Sequence, residues 1–249
     1  MLVFVLGGPV ANLLSGLAIS VLIRNISIFL GWFALLSILI GLANLIPFQR
    51  LNLVSDGKRI LMLLRGGGSG ERWMAITQLV AELRNGVPPE SLRPEFLAMA
   101  TAIRDNSPDT LAGHVLAYSS SWYACNDAET GRLLETCLQY SSFAPPVLRE
   151  ALFADAGVFQ GRKRNRADLA RDWLTQLPEK LQFPWLRPRV EAAILEAEGD
   201  IPGSLAKLNE AESKLTKLPD RQQRAISLRS LERWRSELQA KLQPTSASS

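Results

Sequence analysis

Two long uncharged runs open the chain. Met1 to Ile23 carries no charged side chain, nor does Asn25 to Gln49, and only Arg24 separates them. At about 1.5 Å rise per residue, each run matches the ~30 Å hydrocarbon core of a bilayer. The pattern predicts two membrane-spanning helices joined by a tight turn, because unpaired backbone is too costly inside lipid. A cleavable signal peptide is the alternative for the first run, but no basic stretch follows Met1 and the run outlasts a normal signal core. Past residue 70 the pattern changes: apolar residues recur at i, i+3, i+4 and i+7, broken by Gly, Pro, Asn or Asp, with no period-two alternation. The expected fold class is therefore all-α, with two transmembrane helices and a separate helical domain.

The helices of that domain read as pairs. One pair spans Leu111 to Tyr123 and Glu129 to Tyr140, turning at Asn126 and Asp127; the next spans Val147 to Phe159 and Ala167 to Leu177, turning near Gly161. A third spans Leu186 to Glu198 and Gly203 to Leu218, turning at Gly199 and Asp200. Trp73 to Leu83 with Pro94 to Arg104 would start the stack, and Asp220 to Leu242 would cap it. The turns recur near the 34-residue period of tetratricopeptide repeats, which the third pair resembles most, through Ala193, Gly199, Asp200, Leu205, Ala206, Leu208, Ala211 and Pro219. The early Trp and Tyr of that repeat are not matched. Gly66, Gly67, Gly68, Ser69 and Gly70 read as a flexible joint, giving a hairpin at 1–65, a linker at 66–70, a helical-repeat domain at 71–243 and a disordered tail at 244–249. A phosphate loop is excluded there, since no Lys-Ser or Lys-Thr follows.

Charge sharpens the division. Arg24, Arg50, Lys58, Arg59 and Arg65 against the single Asp56 account for the whole net charge of +4, leaving 23 basic and 23 acidic residues beyond Arg65. The pI of 9.3 therefore implies no nucleic-acid binding. Basic residues beside the spans predict a cytoplasmic C-terminal domain, with the turn at Arg24 on the other side, as in a bacterial inner membrane. Cys125 and Cys137 would then be reduced, and are read as small core residues. The run Arg162, Lys163, Arg164 and Arg166 is read as a solvated loop, and His114, the one histidine, as a repeat-core or surface residue.

Small or polar residues line both spans: Gly8, Asn12, Ser15 or Gly16 and Ser20 on the first, and Ser27, Gly31, Ala34, Ser37, Gly41 and Asn44 on the second. Such stripes let helix backbones approach. Asn12 and Asn44 ask for more, because an amide in hydrocarbon needs a partner. Gly8-Pro9-Val10-Ala11-Asn12 resembles the Gly-Pro-x-x-Asn element of the site-2 protease family of intramembrane zinc metalloproteases. Asn44-Leu45-Ile46-Pro47 followed by Ser55-Asp56-Gly57 is similar to that family's Asn-x-x-Pro and Asp-Gly signature, with a longer connector. On residue chemistry alone Asp56 is a helix-opening turn aspartate; the resemblance implies that it is the third ligand of a catalytic zinc, with Gly8, Pro9, Asn12, Asn44, Pro47 and Gly57 forming the site wall.

That chemistry needs three protein ligands, a zinc-bound water and a carboxylate base. The two histidines and the base normally come from H-E-x-x-H on an earlier span, and His114 lies too far downstream to replace them. The expectation is a C-terminal portion of a longer protease, a start assigned too late, or an inactive relative. The resemblance implies a membrane-protein substrate cut within the bilayer, with a protein partner held by the repeats. The contrasting expectation is a membrane-anchored helical-repeat scaffold without catalysis.

Overall fold

In the computed structural model, which describes residues 2–22, 28–50 and 53–242, every long element is a helix. The turn at Arg24, Ser27 on the second stripe and the tail at 244–249 lie outside the described residues. Contacts divide the chain into two units, residues 1–77 with 98–104, and 78–97 with 105–249.

The first unit is built on an antiparallel pair, α1 (Leu2–Leu22) and α2 (Ile28–Leu45). Among the described helices α2 is the one long and apolar enough to cross a membrane; in α1 the apolar stretch is the shorter Val5–Val21. The two meet where side chains vanish. A Cβ on Gly16 would lie 2.7 Å from the Ala34 carbonyl oxygen, and one on Gly41 would lie 3.0 Å from that of Pro9. On α2 the expected stripe is the buried one, through Ala34, Ser37 and Gly41. On α1 it is corrected: Val5, Pro9 and Gly16 are buried, whereas Gly8, Ser15 and Ser20 are exposed. The two serines satisfy their hydroxyls within the helix, on the carbonyls of Ala11 and Gly16. Large apolar side chains cover the outside: all the strongly exposed ones except Leu64 and Leu242 fall between Val3 and Phe48.

After α2 a small antiparallel ladder, β1 (Gln49–Arg50) with β2 (Leu53–Val54), folds the chain back into α3 (Asp56–Arg65). This ladder is absent from the sequence expectation, being too short to show an alternation. The glycine run is not a free linker along its length. Gly66 and Gly67 take the positive φ that ends α3, but Gly68, Ser69 and Gly70 already form the first turn of α4 (Gly68–Arg84).

The second unit contains α6 (Pro108–Tyr123) with α7 (Asp127–Gln139), α8 (Pro146–Val158) with α9 (Ala167–Thr175), and α10 (Leu186–Ala197) with α11 (Ile201–Leu215). The short α5 (Pro94–Thr101) precedes them and α12 (Arg221–Leu242) packs on α11. Caps explain the punctuation: Asn126 accepts from the amide of Glu129, and Asp200 from that of Gly203. The pairs open at Pro108, Pro146 and Leu186, so the repeat lengths are 146 − 108 = 38 and 186 − 146 = 40 residues, longer than the tetratricopeptide period.

Two side-chain expectations change here, those for Cys125 and Arg162, and His114 takes the core alternative of its two. Cys137 is buried, but Cys125 is exposed, because it leaves α6 with φ of 57° at the turn. Burial, reinforced by the nearby Asp155 charge, pushes the Cys137 thiol up to about 12. Within the basic run Arg162 itself is not solvated, whereas Arg164 and Arg166 are exposed as expected: α8 runs into a π-helical turn at Phe159–Lys163, and the Arg162 side chain is only 8% exposed. It pairs with Glu237 and stacks 4.8 Å above the Trp234 ring, while Lys163 pairs with Asp127 and Arg166 with Asp168. His114 is a core residue, its Nδ1 2.8 Å from the Thr110 carbonyl oxygen.

Candidate functional site

Three of the residues singled out by sequence, Gly8, Asp56 and Gly57, come together at the exit of the hairpin. Ser55, 6% exposed, makes the junction: its hydroxyl donates to the Ile46 carbonyl at 2.8 Å and accepts from the Phe48 amide at 2.9 Å. The same oxygen caps α3 by accepting from the Lys58 amide at 3.2 Å. One hydroxyl thus ties the unwound end of α2 to the start of α3. The sequence expectation treated Ser55 only as the residue before Asp56.

Gly57 then sits directly on the end of α2. A Cβ there would lie 1.9 Å from the Leu45 carbonyl oxygen and 2.4 Å from its carbon, so only glycine permits the contact. This seats Asp56, the first residue of α3, against α1: its Oδ2 lies 3.9 Å from where a Gly8 Cβ would be. Gly8 and Asp56 are 48 positions apart and belong to different motif elements. The N-terminal end of α3 also favours a negative charge at this position.

The remaining wall residues are less tightly gathered. Pro9 is buried against α2, one turn from Asn12 on the same helix. Asn12 and Asn44 are half-buried, and among the described residues neither carboxamide has a hydrogen-bond partner. Pro47 is exposed between α2 and β1. The site thus joins Gly8, Asp56 and Gly57 closely, with the two amides nearby along α1 and α2.

As a zinc site this donor set does not suffice. Among the described residues no three His, Cys, Asp or Glu side chains cluster, and Asp56 is the single carboxylate at the junction. One oxygen ligand cannot hold a tetrahedral zinc, so no chemical step is assigned to zinc on these residues. No family model, curated protein or solved structure matches this chain.

Proposed function

We propose that the first unit is the C-terminal half of an intramembrane zinc metalloprotease of the site-2 type, embedded in the membrane through α1 and α2, with Asp56 as its contribution to the metal. The observation that supports this reading most is convergence. Three short elements, at residues 8–12, 44–47 and 55–57, are scattered in sequence, yet the Gly57 contact presses Asp56 toward Gly8. The exposed apolar exterior of both helices supports the membrane placement. The other ligands and the general base would come from outside these 249 residues. The second unit, in this reading a tetratricopeptide-like array on the cytoplasmic side, would hold a regulator or substrate.

The chain expressed from its own locus with a C-terminal tag, purified from membranes in mild detergent, tests this. About one zinc per tagged chain is expected by elemental analysis, falling to background in Asp56→Ala while the protein still folds. Metal-free wild-type protein, or zinc retained in Asp56→Ala, refutes the assignment. The single-carboxylate donor set favours a second reading, a membrane-anchored helical scaffold. That reading expects no zinc and an unaltered partner complex in Asp56→Ala.

A further inference from the structure

The second unit contains a half-open cavity of about 310 Å³, large enough for a small organic molecule. Five aromatic side chains line it: Tyr118, Trp122, Tyr123, Phe183 and Trp185. Among them lies Arg189, 8% exposed, its guanidinium 5.7 Å from the Trp122 ring and 5.5 Å from that of Trp185. A guanidinium buried between aromatic rings is costly to desolvate, and a purely structural role is often served as well by an apolar residue.

The polar balance of the walls indicates what the cavity takes. Both lining carboxylates already hold donors of the protein itself. Asp155 accepts from Arg189 Nη2 at 2.6 Å and from the Tyr118 hydroxyl, which burial and then the Asp155 charge keep protonated. Asp220 caps α12, accepting from the amides of Gln222 and Gln223 at 2.9 Å each. The donors, by contrast, have capacity left. The Trp185 indole N–H is buried with no hydrogen-bond partner, Arg189 places one N–H group on Asp155 alone, and Arg84 at the rim has no ion-pair partner among the described residues. Flat apolar walls with unspent donors beside a buried guanidinium complement a flat, acceptor-bearing ligand.

We propose that this cavity binds a small organic anion, a carboxylate carried on a flat aromatic body, with Trp185 and Arg189 donating to the carboxylate. The proposal is independent of the protease reading and concerns the second unit alone.

Isothermal titration of the full chain in lipid nanodiscs tests it, using 2-naphthoate, the neutral 2-naphthamide and the cationic 2-naphthylmethylammonium, with empty nanodiscs as blank. One-to-one binding of naphthoate is expected below about 1 mM, at least tenfold tighter than the ammonium compound. Trp185→Phe keeps an aromatic face, though a smaller one, and removes the N–H, and is expected to weaken naphthoate about tenfold. Ala151→Phe fills the cavity and is expected to abolish binding. Equal affinity for the ammonium compound, undiminished naphthoate binding in Trp185→Phe, or no saturation by about 5 mM overturns the proposal. Should Ala151→Phe fail to fold, the Trp185→Phe comparison decides alone.

Discussion

Gly57→Ala places one methyl group where the backbone leaves no room. The added carbon would begin 1.9 Å from the Leu45 carbonyl oxygen, against an ordinary non-bonded separation of about 3.5 Å, so α3 must retreat from α2 by on the order of 1.5 Å. Neither obstacle is a flexible side-chain tip; the atoms belong to the Leu45 main chain. Overpacking of this kind costs about 1–3 kcal/mol, and the retreat carries Asp56 away from Gly8. Disulfide formation reads that distance directly. In a Cys125→Ser, Cys137→Ala background, Gly8→Cys with Asp56→Cys should cross-link under mild oxidation, because the tip of the Asp56 side chain comes within 3.9 Å of a Gly8 Cβ. Adding Gly57→Ala should slow cross-linking at least about tenfold, since bridging tolerates little extra separation. Gly7→Ala, at a position with open space around it, is the control and should change nothing. Equal cross-linking rates with and without Gly57→Ala would refute the seating of α3 on the hairpin.

Asp155→Leu should destabilise the second unit by about 3–5 kcal/mol, because it strands the buried Arg189 charge; adding Arg189→Met should recover part of that loss, as measured by urea unfolding followed through tryptophan fluorescence. A thiol raised to about 12 in the folded state stays protonated while the unfolded chain ionises near its ordinary value. Stability from Cys137 is therefore full below about pH 9 and falls by about 1.4 kcal/mol per unit as pH climbs toward 12. The difference between wild-type and Cys137→Ala unfolding curves across pH 8 to 11 isolates that contribution, and a flat difference would contradict it. A reporter fused after Leu242 should read as cytoplasmic if Arg50, Lys58, Arg59 and Arg65 set the topology; activity on the opposite side would reverse the placement.

The helix pairs were legible because local signals agree with the tertiary outcome: Asn126 and Asp200 cap, Gly199 takes φ of 84°, and apolar positions repeat at helical spacing. The meeting of Gly8 with Asp56 was legible only as a motif resemblance, since spacing alone places a lone aspartate at a helix start. What sequence could not reveal are encounters between distant elements. Arg162 reads as part of a basic run until the π-helical turn aims it at Trp234 and Glu237. The aromatic cavity is likewise hidden, because Tyr118, Asp155 and Arg189 sit on three separate helices, each looking like an ordinary amphipathic position. Cys125 was misread because its exposure follows from backbone handedness at one residue, which composition does not encode.

Glu196 is 7% exposed at its side chain and receives the Trp234 indole N–H at 2.7 Å and the Lys241 ammonium at 2.6 Å, with Arg162 Nε 3.9 Å away. Its two closest donors therefore come from α12, made after the elements that carry Glu196 and Arg162. On the ribosome, α8, the π-helical turn and α10 can form before α12 has emerged, leaving a carboxylate and a guanidinium facing a surface that is still open. Docking of α12 closes that surface. A chain interrupted before Trp234 therefore leaves Arg162 and Glu196 without the covering face of α12.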